Sequence, residues 1–432
     1  MDMMTIAIIV LGSVILIIIG IPVAYVLGFC AVVGLLLGVG SLTLSRLGLI
    51  PFTAFHAYNW IPLPLFVLMA CIIGETAIGA DIFDAANKWT SRIPGGLALT
   101  SLCAEAIMAA TMGMSGTTVL TVGKVSMPQM ERFNYNRRLA IGSILVGGVL
   151  GPLIPPSIPL VIYGIIARQS ISELFMAGLI PGIILLIMLS AYIMVTCMRH
   201  PEFAPRLPAV SWKERIVSLW KVWPVLALIL GIIGGIYLGV VTASEASGIG
   251  VFIILLISIV FYRFRLAHLN RAMSEAITLT AMIVLMTIAT TSFAYLVGIS
   301  GTMHRLASFI TASGISPWMV VVAVNVFLLF LGCIMDALAI MLLTIPLLVP
   351  LITHLGFDPI WFGVVMTVNI EIALLTPPVG LNMFMMGTAF RIPVSEVIRS
   401  MAPFLAILII FLGIIIAFPQ LSLWLPSMMG GG

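Results

Sequence analysis

The chain has 432 residues, 62% of them hydrophobic and only 8% charged, with a formal net charge of +4 and a mean hydropathy of +1.27. A soluble domain of that balance would carry an apolar surface, so a water-soluble globule is excluded. So sparse a positive charge is no nucleic-acid footprint; its information lies in where the basic residues fall.

Apolar runs of about 20 residues recur, the length a helix needs to cross a bilayer. Met4 to Gly20 and Pro22 to Gly40 read as two spans, or as one helix kinked at Gly20-Ile21-Pro22. The first run carries Asp2 and no Lys or Arg ahead of it, which favours a span over a cleavable signal peptide. Residues 41–60 hold Arg46, His56, Tyr58 and Trp60 and read as an interfacial arm. Pro62 to Ala80 is a third span, followed by a polar connection with Lys88 and Arg92.

Pro94 to Met130 is interrupted at Gly113-Met114-Ser115-Gly116-Thr117-Thr118. Lys88 and Arg92 precede it; Arg132, Arg137 and Arg138 follow. With both ends basic, the positive-inside rule puts both in the cytoplasm, so this stretch reads as a re-entrant hairpin. Leu139 to Ile166 then crosses outward, broken at Pro152 to Ser157, and Leu174 to Met198 returns to a basic loop.

The order then repeats. Trp223 to Val241, Glu245 to Phe261 and Ala276 to Val297 read as spans, and Gly298 to Ser316 as a second arm. Pro317 to His354 is a second hairpin; the loop after it lacks Lys and Arg, so it opens outward. Trp361 to Phe390 crosses back, broken at Thr376-Pro377-Pro378-Val379-Gly380, and Met401 to Phe418 is the last span. Pro377, Pro350 and Pro403 each lie 222 residues after Pro155, Pro128 and Pro181. One duplicated unit therefore covers most of the chain. Five crossings and one hairpin per unit force the second unit to enter from the opposite side, giving two inverted-topology repeats. The expected fold is all-α and polytopic, with both termini on the periplasmic side. Gly430-Gly431-Gly432 is assigned no role.

Unwound helices deep in a membrane are tolerated where the freed backbone is buried in protein or lines a cavity. Their carbonyl ends can coordinate Na⁺ and their amide ends attract anions. Simple kinks are the competing reading. Asp336 is an intramembrane carboxylate, read either as a functional group or as the cap of a helix at the hairpin tip. Glu371 lies five residues before the second break, with interior pairing and a substrate-path role both open. Glu105 and Lys124, equidistant from the first hairpin tip, are expected to pair across it, with a role in transport as the alternative. Arg168 reads as a snorkelling interfacial residue, or as one that steers an anion. Gly-Met-Ser-Gly also fits an intramembrane serine protease, but His56, His200, His268, His304 and His354 all fall outside the apolar runs, so no general base is at hand. The five cysteines are scattered through apolar segments with no Cys-x-x-Cys, and read as small buried hydrophobes. There is no phosphate-binding Gly-Lys-Ser/Thr loop.

Several stretches carry a resemblance. Gly113-Met114-Ser115-Gly116, Ile154-Pro155-Pro156-Ser157-Ile158-Pro159 and the run from Phe175 to Gly182 come first, followed by Met335-Asp336-Ala337-Leu338-Ala339-Ile340 and Thr376 to Asn382. In this order over nearly the whole chain, they resemble the large membrane subunit of TRAP (tripartite ATP-independent periplasmic) transporters. Two departures stand out: Met114 and Thr117-Thr118 where the family reads closer to Gly-Ser-Gly-Pro-Ala, and a basic Arg168. The resemblance implies Na⁺-coupled uptake of an organic acid (C4-dicarboxylate, sialic acid or sugar acid) by elevator movement in the bacterial inner membrane. It also implies two partners, a small four-helix membrane subunit and a periplasmic substrate-binding protein. Scaffold and arm would occupy 1–93 and 223–316, and the moving parts 94–198 and 317–418. A cytoplasmic connection would fill 199–222, and a tail 419–432. Na⁺ is expected at Gly113, Ser115, Gly116, Pro155 and Pro156 in one half. The second site would use Gly332, Asp336, Thr376, Pro377 and Gly380. The substrate is expected near Ser157, Thr117 and Asn382. A standalone Na⁺- or H⁺-coupled carboxylate carrier is the alternative.

Overall fold

The computed structural model describes residues 3–38, 44–55, 58–112, 115–205, 207, 210–301, 308, 313–377 and 380–429. Gly113, Met114, Pro378, Val379, most of the second arm and the terminal glycines therefore lie outside the described residues. The described chain is all-α. Its first half runs α1 (Met3–Ile18), α2 (Val23–Gly38), α3 (Leu44–Phe55), α4 (Pro62–Gly74), α5 (Ile78–Thr90), α6 (Gly96–Met112), α7 (Ser115–Arg132), α8 (Arg137–Gly147), α9 (Ile158–Ala167) and α10 (Ile171–Arg199). The second runs α11 (Trp212–Tyr237), α12 (Ala243–Tyr262), α13 (Leu266–Ile299), α14 (Pro317–Gly332), α15 (Ala337–His354), α16 (Pro359–Ala373), α17 (Leu381–Phe390), α18 (Val394–Ala417) and α19 (Gln420–Met429).

Six of these helices are long and apolar enough to cross a bilayer, or seven if the pair Tyr58–Gly74 and Ile78–Thr90, bent by 72°, counts as one span. The chain is a multi-pass membrane protein. The expected number of crossings was larger because breaks divide apolar runs into helices shorter than a span, such as α8 with α9 and α16 with α17.

Helix bounds recur at the proline spacing. Adding 222 to the ends of α7 gives 337 and 354, the ends of α15. Added to α6 it gives 318–334, against 317–332 for α14; added to α9, 380–389, against 381–390 for α17. Packing recurs too. Helix α2 lies on α13 as α4 lies on α12, and α6 packs on α8 as α14 packs on α16. The second arms of the breaks are exchanged between halves: α9 packs on α15, and α17 on α7.

Three expectations change, and the first arm gains detail. The third span ends at Gly74, and the polar connection is a helix, α5, turned 72° from the segment before it. Asp81, Asp84 and Lys88 share one face of α5 at helical spacing, while Ile78, Ile82, Phe83 and Ala85 are buried on the other. A side chain pattern of this kind suits a helix lying along an interface. Within the stretch read as the first arm, Leu44–Phe55 is α3 and Tyr58–Trp60 a 3₁₀ turn, with α3 packed along α2 and α13. Residues 212–222, expected as loop, are the opening turns of α11. Ser211 caps them: its hydroxyl accepts from Glu214 N–H, and the Glu214 carboxylate accepts from Ser211 N–H at 2.9 Å. Finally, most of the expected tail is α19, packed on α10 and α16.

Candidate functional site

Ser115 opens α7, the second arm of the first hairpin, and is buried. Its hydroxyl accepts a hydrogen bond from Asn382 Nδ2 at 3.1 Å, across 267 residues of chain. Asn382 is itself buried in the first turn of α17. Gly116 admits this approach: a Cβ there would stand 3.2 Å from Met385 Cε and 3.3 Å from Asn382 Oδ1. On the other side, the Ser115 carbonyl abuts Gly148, where α8 unwinds; a Cβ on Gly148 would lie 3.3 Å from it. The Glu371 carboxyl interacts with the Ser115 side chain, and its Oε2 has no partner. Ser115 thus touches the unwound start of one break, the restart of the other, and a buried acid. Among the described residues its contacts include no imidazole.

The second break begins after Ala373. Thr376 Oγ1 donates back to Ile372 O at 2.7 Å, and Asn382 N–H donates to Leu374 O at 3.3 Å. Gly380 restarts the helix in the left-handed region, φ +54°, which a side chain resists. A Cβ there would run into Met383 Cε and lie 3.2 Å from Thr376 O and 3.4 Å from Leu374 O, so two main-chain carbonyl oxygens and a methionine methyl converge on this glycine. Hard neutral oxygens of this kind suit Na⁺ chemically. Gly332, at the end of α14, packs directly on Ala373, and Cys333 Sγ donates to Pro377 O at 3.4 Å. The second hairpin therefore meets the second break through Gly332, Cys333, Ala373 and Pro377.

Asp336 is placed differently. Its carboxylate caps α15, accepting from Ala339 N–H at 3.1 Å, and is exposed. It looks into a cavity of about 410 Å³ lined also by Gly20, Pro22 and Met286. In the first break, Pro155 and Pro156 lie buried in the turn between α8 and α9 and are joined by a cis peptide bond. The Ser157 hydroxyl donates to Pro152 O at 2.6 Å and accepts from Leu160 N–H, so it caps α9; Asn382 meets Ser115 rather than Ser157. Thr117 is exposed. Of the expected site residues, the structure brings together Ser115, Gly116 and Asn382 in one place and Gly332, Thr376, Pro377 and Gly380 about the second break.

The pairing expected between Glu105 and Lys124 does not form. Glu105 is fully buried with both carboxyl oxygens unpartnered, packed against Gly147 of α8, while Lys124 is exposed. Equal distance from a hairpin tip sets the height of two side chains, not the face they occupy. Two residues went unnoticed in the sequence. Asn369 Nδ2 donates to Asn325 O at 3.0 Å and to Asn325 Oδ1 at 2.8 Å, locking α16 to α14. Their signal was present as single amides deep in apolar runs. Arg168 ends α9 in the left-handed region, φ +55°, as Arg391 ends α17. Both place a cation at a helix C-terminus, where the macrodipole favours it.

An all-helical multi-pass bundle with two hairpins, each meeting an unwound helix, belongs to the membrane transport permeases; the chain is not an enzyme. Residues 10–421 match the family described as Tripartite ATP-independent periplasmic transporter, DctM component, and the chain belongs to that family. It is 34% identical to the C4-dicarboxylate TRAP transporter large permease protein DctM of Pseudomonas aeruginosa, over 88% of each chain. It is 30% identical to the sialic acid TRAP transporter large permease protein SiaM of Vibrio cholerae, over 95% of this chain and 96% of that one. In fold it is similar to the Alcanivorax borkumensis YdaH transporter, with a TM-score of 0.65 at 12% identity and 89% of each chain covered.

Proposed function

We propose that this chain is the permease subunit of a tripartite carrier that imports an organic acid anion by Na⁺ symport. A periplasmic binding protein delivers the anion, and a small four-helix membrane subunit completes the complex. The substrate belongs to the C4-dicarboxylate, sialic acid or sugar acid class, in keeping with what relatives are named for. The two halves run in opposite senses through the inner membrane, with ten crossings, two hairpins and both termini periplasmic. Each hairpin and its break move together against the scaffold, as alternating access by an elevator requires.

The observation that carries this reading is the hydrogen bond between Ser115 and Asn382, which joins the hairpin of one half to the broken helix of the other. A packed contact between two interruptions is expected of a shared binding centre. Isolated kinks would have no reason to meet. We place one Na⁺ at the carbonyls facing Gly380 and a second at Ser115, Gly116 and the unwound end of α8. The anion lies beside Asn382.

The test is uptake of labelled organic acids into proteoliposomes holding this chain and its small membrane partner, with and without a cognate binding protein, under an inward Na⁺ gradient. Uptake should need both the binding protein and Na⁺. Uptake without a binding protein would replace the tripartite reading with a standalone carrier. A proton gradient substituting for Na⁺ would overturn the ion assignment.

A further inference from the structure

Three connections, α7–α8, α10–α11 and α17–α18, meet at one end of the bundle. Asn136, between α7 and α8, donates its N–H to Phe203 O at 2.8 Å, just past α10. Arg137 pairs with Glu396 of α18 at 3.2 Å. Between these contacts lies a cleft of about 340 Å³. Its rim carries Arg138 and Arg399, both exposed. Neither guanidinium has a carboxylate in salt-bridge reach among the described residues, and the nearby Glu396 is already held by Arg137. Below the rim the walls are Tyr192, Pro403 and Phe404, with the two rings in edge contact at 5.0 Å between centroids.

This is a lipid-shaped chemistry. Two unpaired guanidiniums at the mouth match a phosphodiester, which Arg binds through paired N–H donors. An aromatic wall directly beneath suits the glycerol and the first acyl carbons, since Tyr places its ring at headgroup depth. A soluble anion has no use for that wall. The basic character of all three links puts them at the cytoplasmic surface by the positive-inside rule, where anionic lipids attract cations.

We propose that the cleft between α8, α10 and α18 binds an anionic phospholipid of the cytoplasmic leaflet, with its phosphate on Arg138 and Arg399. The leaflet rests on the orientation given above; the site does not. The lipid bridges a helix of the first half to a helix of the second, next to the Arg137–Glu396 pair.

Native mass spectrometry of the purified full chain tests this without any transport assay. The probes are phosphatidylglycerol and phosphatidylcholine of the same acyl length, titrated into delipidated detergent micelles. Phosphatidylglycerol should be retained in preference. R138Q and R399Q should each weaken it about fivefold, the worth of one interfacial cation, and the double variant should abolish the preference. R138K with R399K should keep part of it, and K213Q, outside the cleft, should change nothing. Equal retention of both lipids, or no loss in the double variant, overturns the proposal. Displacement by millimolar inorganic phosphate would assign the cleft to a soluble anion instead and equally overturn it. Circular dichroism of each variant separates lost binding from lost fold.

Discussion

Replacing Gly178 with alanine tests whether the first break is held by main-chain contact. Gly178 lies on α10 opposite the turn that follows α8; a Cβ there would stand 2.6 Å from Leu153 O and 3.1 Å from Leu160 Cδ1. Carbon and carbonyl oxygen settle at about 3.3–3.6 Å, so the break has to retreat by roughly 0.7–1.0 Å. Leu153 is fully buried and the obstacle is backbone, so no rotamer change relieves it. Overpacking of this kind costs about 1–3 kcal/mol. Gly182, one turn on, faces Ile154 Cγ1 at 3.2 Å, a side chain that can yield, so G182A should cost less. Gly413 has nothing within 4 Å, and G413A should be neutral or stabilise by about 0.5–1 kcal/mol through helix propensity. Denaturant unfolding in detergent and initial uptake rates should both rank the three as G178A worst, G182A intermediate and G413A unimpaired. If G178A behaves like G413A, the break is not seated on α10 and the reasoning fails.

A double-mutant cycle on Ser115→Ala and Asn382→Ala should return a coupling of about 1 kcal/mol in unfolding free energy; a coupling near zero would dismiss the contact. Asn369→Ala leaves a buried Asn325 carbonyl unsatisfied and should destabilise by about 1–3 kcal/mol, read by the same unfolding assay. Thr242→Ala removes the capping box at the start of α12, where the Glu245 carboxylate accepts from Thr242 N–H at 2.8 Å, at a cost of about 1 kcal/mol. Single cysteines at Arg92 and Glu131, both exposed, should react with an impermeant thiol reagent from the same side of the membrane. Opposite sides would rule out the first hairpin.

Much of the transport half was legible because Pro and Gly mark breaks whatever surrounds them. Pro128, Pro155 and Pro181 announced the spacing that α7, α9 and their counterparts follow. The scaffold half was less legible because hydropathy blurs short amphipathic helices into their neighbours. Ile78 and Ala80 extended the third span on paper, although Gly74 to Ala77 had already ended it. The site was legible as a set of stretches but not as partners. Nothing in the local pattern says that Asn382 faces Ser115 rather than Ser157, because that choice is made by α17 packing on α7. Glu105 went the same way: its seat against Gly147 depends on α6 lying on α8.

The exchange of break arms between halves bears on how the chain is made. Helix α17 follows the end of α7 by about 250 residues, and at 5–20 residues per second that is roughly 12–50 s of synthesis. Throughout that interval Ser115 and Gly116 lack the surface that finally covers them. The first half leaves the ribosome with a polar seam open, and no lipid tail can satisfy it. A truncated chain ending before α17 is therefore an exposed quality-control substrate rather than half a transporter. Supplying the missing half as a separate polypeptide should rescue it, because the seam is closed by packing and not by a peptide bond.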